Sequence, residues 1–253
     1  MTPFDSPPHV IAHRGGALVP GNVGRENTLV AFVAAAALGV RHLETDVHAT
    51  ADGDLVAAHD ATLDRVSDRT GPIATATTAD VLAARVGGEP IPLLPELVAA
   101  LPDAVFTIDI KARGATVPLA RLLRRADLAR RVCVGSFSEL RLWTFRILTR
   151  RRVPTSAGRI GIALLRYTPF WALLRTPGVA YQVPLSHQVG PLRLLIVTPT
   201  FVKRAHRLGK QVHVWTVDDP DQMHALLDLG VDGIITDRPD LALQVLADRR
   251  PTS

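Results

Sequence analysis

A chain of 253 residues is long enough for one large α/β domain with a sizeable core, and an apolar content of 47% excludes a disordered protein. The net charge of +5 comes from arginine clusters at 121–131 ("RLLRRADLARR") and 146–152 ("RILTRRR"). These carry no interleaved aromatics and no nucleic-acid motif, so they read as solvated helix faces and no nucleic-acid partner is expected.

Taken in chain order, short apolar runs recur as strand candidates. They are "HVIAH" (9–13), "RHLETDV" (41–47), "VFTIDI" (105–110), "RVCVGSF" (131–137), "VPTSA" (153–157), "VAYQV" (179–183), "QVHVWTV" (211–217) and "DGIIT" (232–236). Helical patterns lie between them: "NTLVAFVAAAALG", "VPLARLLRRADL", "TPTFVKRAHRLG" and "DPDQMHALLDLG", the last with Asp218 and Asp219 as its expected cap. Alternation of this kind implies parallel pairing, and eight units in this length predict a (β/α)8 barrel; a doubly wound sheet is the runner-up. One interval breaks the rhythm: residues 60–104 contain no clear strand and are punctuated by Gly and Pro. They predict an insertion after the second strand, over the C-terminal face, serving as a lid or substrate wall within a single domain spanning 1–253. The apolar stretch "IGIALLRYTPFWALL" (160–174), broken by Arg166 and Pro169, is short for a membrane span and reads as buried or partly buried helix. Cys133 alone permits no disulfide, and "MTPFDSPPHV" lacks the pattern of a secretory signal, so a cytoplasmic location is expected.

Barrel strands carry their chemistry at their C-terminal ends, and four of these ends are polar. The first ends in His13-Arg14-Gly15-Gly16, the second carries Glu44 and Asp46, the third Asp109 and Lys111, and the seventh Trp215. Residues two apart on a strand share a face, so three carboxylates converge if the strands do. That is tolerable with a cation among them or with raised pKa values. All-oxygen ligation suits a hard ion, Mg²⁺ or Ca²⁺. Glu44 and Asp46 thus read as a metal-binding pair, although Asp109 and Lys111 also read as a simple ion pair. The Asp52-Gly53 turn predicts a hairpin that sets Ala51 against Asp54 and Asp46 against His59, which brings His59 to the carboxylates as a candidate general acid or base. The remaining histidines read as ordinary, with His213 sharing a strand face with Trp215.

These motifs, in order "AHRGG…ENTLVAFVAAAALGVRHLETDVHATADGDLVAAHD", "FTIDIK", "VHVWTVDD" and "GVDGIITDRPD", resemble the glycerophosphodiester phosphodiesterase family from His9 to about Leu243. The resemblance implies a (β/α)8 barrel that hydrolyses a small-molecule glycerophosphodiester to glycerol 3-phosphate and an alcohol with a divalent cation. It makes His13 and His59 the catalytic acid/base pair and Glu44, Asp46 and Asp109 the metal ligands. It gives Arg14 a phosphate oxygen, sets Lys111 beside phosphate or ligand, and has Trp215 line the glycerol or leaving-group side. Glu26 and Asn27 match the family's "PENT" turn and are expected at the substrate. Two departures stand out: Arg25 replaces the usual Pro after a longer "VPGNVG" loop, and the third ligand is Asp109 where Glu is frequent. A lysophospholipase D-like activity, with weak contact to a membrane surface, is the rival within the class. Sphingomyelinase D-like enzymes share the barrel but are typically secreted with disulfides. A non-catalytic nucleic-acid binder would have no use for the four clustered site residues. No obligate protein partner is evident.

Overall fold

The computed structural model describes residues 2–173, 176–190 and 192–249. Seven strands, β1 (His9–His13), β2 (His42–Ala49), β3 (Val105–Ile110), β4 (Val132–Gly135), β6 (Ala180–Pro184), β7 (Gln211–Trp215) and β8 (Gly233–Thr236), pair in parallel in the order β4-β3-β2-β1-β8-β7-β6. The eighth, β5, is reduced to two parallel bridges, Val134 to Thr155 and Ser156 to Ala180, which close the ring. Each predicted strand is present, and the architecture is a (β/α)8 barrel. Buried Arg146 braces the weak β5 from outside: its Nε donates to Thr155 Oγ1 at 2.9 Å and its Nη2 to the Ser156 carbonyl at 2.9 Å.

The helices are α1 (Leu29–Ala37), α2 (Thr78–Ala83), α3 (Leu94–Ala100), α4 (Thr116–Leu122), α5 (Ala126–Ala129) and α6 (Glu139–Leu148). They continue with α7 (Arg159–Tyr167), α8 (Pro199–Arg207), α9 (Pro220–Asp228) and α10 (Pro239–Asp248). Leu43, Phe106, Ile108, Tyr181 and Val214 point outward from the barrel into one apolar core with Phe32, Leu97, Phe145 and Phe201. The alternate strand residues face the barrel axis, and several of them are polar. Of the two aspartates expected to cap α9, Asp219 does so, accepting from the Gln222 amide. Asp218 instead accepts from Thr236 Oγ1 and the Asp237 amide, both at 2.8 Å, and ties the end of β7 to the end of β8.

The β2 hairpin is one residue out of the predicted register. Val47 pairs with Ala57, His48 with Val56 and Ala49 with Leu55, so Asp46 does not oppose His59. The cause is the turn. Thr50 donates its amide to the Asp54 carbonyl at 3.0 Å, closing a three-residue loop in which Gly53 takes φ +88, a geometry that adds a residue to the two-residue turn read from Asp-Gly. Residues 60–104 then form a small lobe around their own apolar cluster of Leu63, Ile73, Val81, Val86 and Ile91, before α3 returns to the main core through Leu94, Leu97 and Val98. A second hairpin, Ser186–Val189 with Leu192–Leu195, follows β6 and was not expected from the sequence. The 160–174 stretch is α7 followed by a 3-10 turn, Trp171–Leu173; Leu174 lies outside the described residues. Ile160, Tyr167, Phe170 and Leu173 are exposed and only Gly161 and Leu165 of α7 are buried, so of the expected buried or partly buried helix the structure shows the second. Among the described residues, no helix is long and apolar enough to cross a membrane.

The β1–α1 loop turns sharply at Gly15 (φ +85), where an added Cβ would lie 3.0 Å from the Ala31 backbone. Asn22, from the lengthened loop, fixes this turn. Its buried Nδ2 donates to the carbonyls of Gly15 at 3.1 Å and of Gly16 and Ala31 at 3.3 Å. The Gly16 carbonyl also accepts from the Val19 amide, so losing the Asn22 donor strands chiefly the Gly15 carbonyl, which costs about 1–3 kcal/mol. Asn22→Ala is therefore expected to lower the unfolding free energy by that amount, read as a lower urea midpoint at an unchanged m-value; an unaltered midpoint would mean the loop holds itself.

Candidate active site

Strand register assembles the site. Adjacent Cα partners put His13 beside Glu44 and Asp46 beside Asp109, and alternation aims all four side chains inward. They open into a cavity of about 600 Å³ at the C-terminal ends of the strands. Of the ten residues singled out from the sequence, His13, Arg14, Glu44, Asp46, His59, Asp109, Lys111 and Trp215 line it. Glu26 and Asn27 do not reach its wall; they stand behind it, Glu26 accepting from Arg14 Nη1 at 3.0 Å and Asn27 Nδ2 donating to Asp46 Oδ2 at 3.3 Å. Asn27 takes a left-handed conformation (φ +58) and its amide donates to the Arg14 carbonyl at 2.9 Å. The turn it belongs to thus shapes the site without touching its contents.

Asp46, 1% exposed, is the centre of the charge network. Burial works against its ionisation, but the Lys111 ammonium at 2.8 Å and the Arg14 guanidinium at 3.2 Å hold its carboxyl below the ordinary value. Lys111 also reaches Asp109 Oδ2 at 2.8 Å. Burial would favour its neutral form, yet the two carboxylates raise its pKa. Glu44 has no cation so close: burial and the charge of Asp46 outweigh the pull of His13 and Lys111 and push it up to about 7. Asp109 Oδ1 is buried with no hydrogen-bond partner.

Each histidine has its own carboxylate. His13 Nδ1–H donates to Asp237 Oδ1 at 2.8 Å, and its Nε2 lies 3.9 Å from Glu44 Oε2. Burial opposes charging of this ring, but the Asp237 hydrogen bond and the Glu44 charge outweigh it and raise its pKa. His59 Nδ1 pairs with Asp60 Oδ1 at 2.5 Å. Asp60 is held at about 2 because Arg65 and His59 outweigh its desolvation. Arg65 bonds Asp60 and also both oxygens of Glu26, at 2.7 and 2.9 Å, linking the lobe to the Arg14 turn. The ring of His48 contacts the His59 carbonyl at 3.2 Å and steadies that loop.

Asp237, Asp60 and Arg65 were not singled out from the sequence. Asp237 follows the last residue of β8 as Lys111 follows that of β3, so the strand-end criterion applies to it equally. Phe137 is a further wall residue, its ring edge-on to Trp215 at 5.6 Å between centroids with the Lys111 ammonium 5.6 Å away. The outer wall comes from α7 and the second hairpin, through Arg159, Ile162, Arg166, Tyr167, His187 and Leu194. No residue of 61–104 lines the cavity among those described. His213 does not touch it either: that ring is fully buried deeper in the barrel, between Gln182 and Gln211.

The donor set suits a hard divalent cation. Three buried carboxylates line one cavity, one pushed towards its neutral form by burial and by the charge of Asp46 and another with an orphaned oxygen, and all donors are oxygen. Lys111 occupies the space between two of them as a resident cation.

Comparison with known proteins gives the family. The model of the glycerophosphoryl diester phosphodiesterase family matches residues 13–241. The "Probable glycerophosphodiester phosphodiesterase 2" of Mycobacterium tuberculosis is 42% identical over 231 residues, covering 88% of this chain and 86% of that protein. The glycerophosphodiester phosphodiesterase of Caldanaerobacter subterraneus subsp. tengcongensis is 30% identical, covering 94% and 97%. Among solved structures, a phosphodiesterase of Oleispira antarctica in complex with the product sn-glycerol-3-phosphate shares the fold, with a TM-score of 0.76, 20% identity and coverage of 95% and 97%. The chain belongs to the glycerophosphoryl diester phosphodiesterase family, and with it to the phosphoric diester hydrolases.

Proposed function

We propose that this chain hydrolyses glycerophosphodiesters to glycerol 3-phosphate and an alcohol, with Mg²⁺ or Ca²⁺ held by Glu44, Asp46 and Asp109 and with His13 and His59 as an acid/base pair. The observation that carries the reading is two histidines, each backed by its own carboxylate, beside three buried acids in one cavity. The cation, when bound, would polarise a phosphoryl oxygen and offset the charge that gathers on the phosphate. Arg14, steadied by Glu26, presents a planar guanidinium to a phosphate oxygen. Lys111 fixes Asp46 and Asp109 and adds positive charge beside the phosphate. Trp215 and Phe137 wall the glycerol or leaving-alcohol side.

Asp237 orients the His13 ring and favours its protonated form, so His13 is the proton donor to the leaving alkoxide. His59, oriented by Asp60, takes the proton from the attacking oxygen. That oxygen is water or the glycerol 2-hydroxyl; in the second case a cyclic phosphate forms first and is then opened. Residues 1–253 act as one barrel domain in which the 60–104 insertion backs His59 through Arg65. The lone thiol, Cys133, pushed by burial up to about 12, fits the reducing cytoplasm.

The decisive assay measures glycerol 3-phosphate release from glycerophosphocholine with Mg²⁺, Ca²⁺ or chelator. Metal-dependent release, cut about 100-fold or more by His13→Ala, is expected; turnover indifferent to both would refute the assignment. A pH profile separates the two histidines. Asp237 raises the His13 pKa, so Asp237→Asn lowers it, and the alkaline limb of kcat/KM moves to lower pH. An alkaline limb that stays in place would give the donor role to another group.

A second reading, action on lysophospholipids at a membrane surface, is favoured by one observation. Ile160, Tyr167, Phe170, Leu173 and Leu192 are exposed on α7, the turn after it and the second hairpin, the same segments that supply the outer cavity wall, with Arg159 and Arg166 among them. An exposed apolar patch rimmed by cations suits an anionic bilayer. Phe170→Ser with Leu173→Ser is expected to reduce turnover of lysophosphatidylcholine in anionic vesicles and to spare glycerophosphocholine. Equal effects on both substrates would dismiss the membrane role.

A further inference from the structure

The opposite end of the barrel carries a cluster that the catalytic reading does not use. His9 opens β1 and His42 opens β2, so both rings face the barrel axis at the end away from the cavity, and Asp5 approaches them from the preceding segment. Among the described residues, these three form the group of His, Cys, Asp and Glu whose donor atoms all lie within 4.8 Å of one another. Asp5 Oδ1 stands 3.5 Å from His9 Nδ1 and 3.5 Å from His42 Nε2. Those distances are long for hydrogen bonds, which cluster near 2.9 Å. They match the edge of a tetrahedron of donors around a metal with bonds of about 2.05 Å, whose edges are about 3.4 Å.

The two imidazoles are also incompletely satisfied. His9 and His42 are only 4% and 6% exposed; the ring nitrogens facing Asp5 lie 3.5 Å from its Oδ1, while the two turned away from it, His9 Nε2 and His42 Nδ1, have no hydrogen-bond partner. The neighbouring His213 differs, since its Nε2 meets Gln211 Oε1 at 2.9 Å and its Nδ1 meets Gln182 Nε2 at 3.4 Å. Phe4 closes the pocket on the barrel side, its ring edge-on to His213 at 4.5 Å and tilted 5.9 Å from both His9 and His42. Asp5 remains exposed, which leaves a path for an ion and a fourth position for water.

We propose that Asp5, His9 and His42 form a second metal site, selective for a borderline transition-metal ion of the Zn²⁺ type, that pins the N-terminal segment beneath the barrel. Two nitrogen donors and one carboxylate favour Zn²⁺ over Mg²⁺ or Ca²⁺, whereas the oxygen-only set at the opposite end has the reverse preference. Burial lowers the pKa of both imidazoles, that of His42 to about 4, so each offers a lone pair at neutral pH.

The test uses the full-length, tag-free, metal-stripped protein carrying Glu44→Gln, which disables the candidate catalytic site and leaves this one intact. Co²⁺ titration followed by visible absorption, then Zn²⁺ competition, reads occupancy and geometry together. One equivalent of Co²⁺ with the intense bands of a tetrahedral site, displaced by Zn²⁺ and not by Mg²⁺, is expected. Adding Asp5→Asn, an exposed position whose change should leave folding intact, is expected to weaken Zn²⁺ binding by at least about tenfold and to abolish the rise in Tm that Zn²⁺ confers. Absence of tetrahedral Co²⁺ bands, or Zn²⁺ affinity equal with and without Asp5→Asn, would overturn the proposal. So would Zn²⁺ binding that disappears with Glu44→Gln, since the ion would then belong to the other end.

Discussion

Asp46 is almost inaccessible to solvent and still ionised, and the neighbouring structure is arranged to make that so. A lone buried carboxylate is untenable. Lys111 from the end of β3, Arg14 from the turn after β1 and Asn27 from the start of α1 all converge on it. Each of those groups needs its own anchor. Glu26 fixes Arg14, Arg65 fixes Glu26, and Arg65 also holds Asp60 against His59. His59, the lobe of residues 60–104 and the first barrel turn are thereby linked, through Asp60, Arg65, Glu26 and Arg14, to a single buried charge.

That arrangement leaves Glu44 unbalanced. It shares the strand face of Asp46 without sharing its partners, and burial disfavours its charged form. A fold selected for stability alone would place an apolar residue there, as buried charge sites commonly tolerate or gain from such replacement. Keeping the acid is intelligible if a divalent cation completes the balance, and the orphaned oxygen of Asp109 points the same way. With both proposed sites filled, the barrel would hold one cation on oxygen donors at the open end and another chiefly on imidazole at the floor.

Much of this was legible in the sequence because barrel strands announce themselves. Runs such as "VFTIDI" are apolar on the outward positions and interrupted by polar residues at one end, and the outward positions pack against helices while the polar end faces the cavity. The same logic found Glu44, Asp46 and Asp109. It stopped short of Asp237, which directly follows β8. The hairpin register failed for a local reason: Asp-Gly suggested a two-residue turn, and the chain uses three with Gly53 left-handed. His59 still reaches the cavity because it lies beyond the paired residues, in a loop steadied by His48 and Asp60. The grouping of Asp5, His9 and His42 depends on the β1–β2 register and on the path of the segment before β1, which no spacing along the chain expresses. The exposed apolar face of α7 was hidden because composition records how greasy a helix is, not which neighbour covers it.

The central claim is that the acid cluster is held for a cation at a cost in stability, and Glu44→Gln tests it most directly. Because burial raises the Glu44 pKa to about 7, the ionised group opposes folding increasingly as pH rises above its ordinary value. Thermal unfolding at pH 8 without metal should therefore show a higher Tm for Glu44→Gln than for the wild type, and Mg²⁺ should raise the Tm of the wild type alone. A Tm that falls on substitution, with an equal Mg²⁺ response in both proteins, would mean that Glu44 is a structural residue and that the cation has no place among these carboxylates.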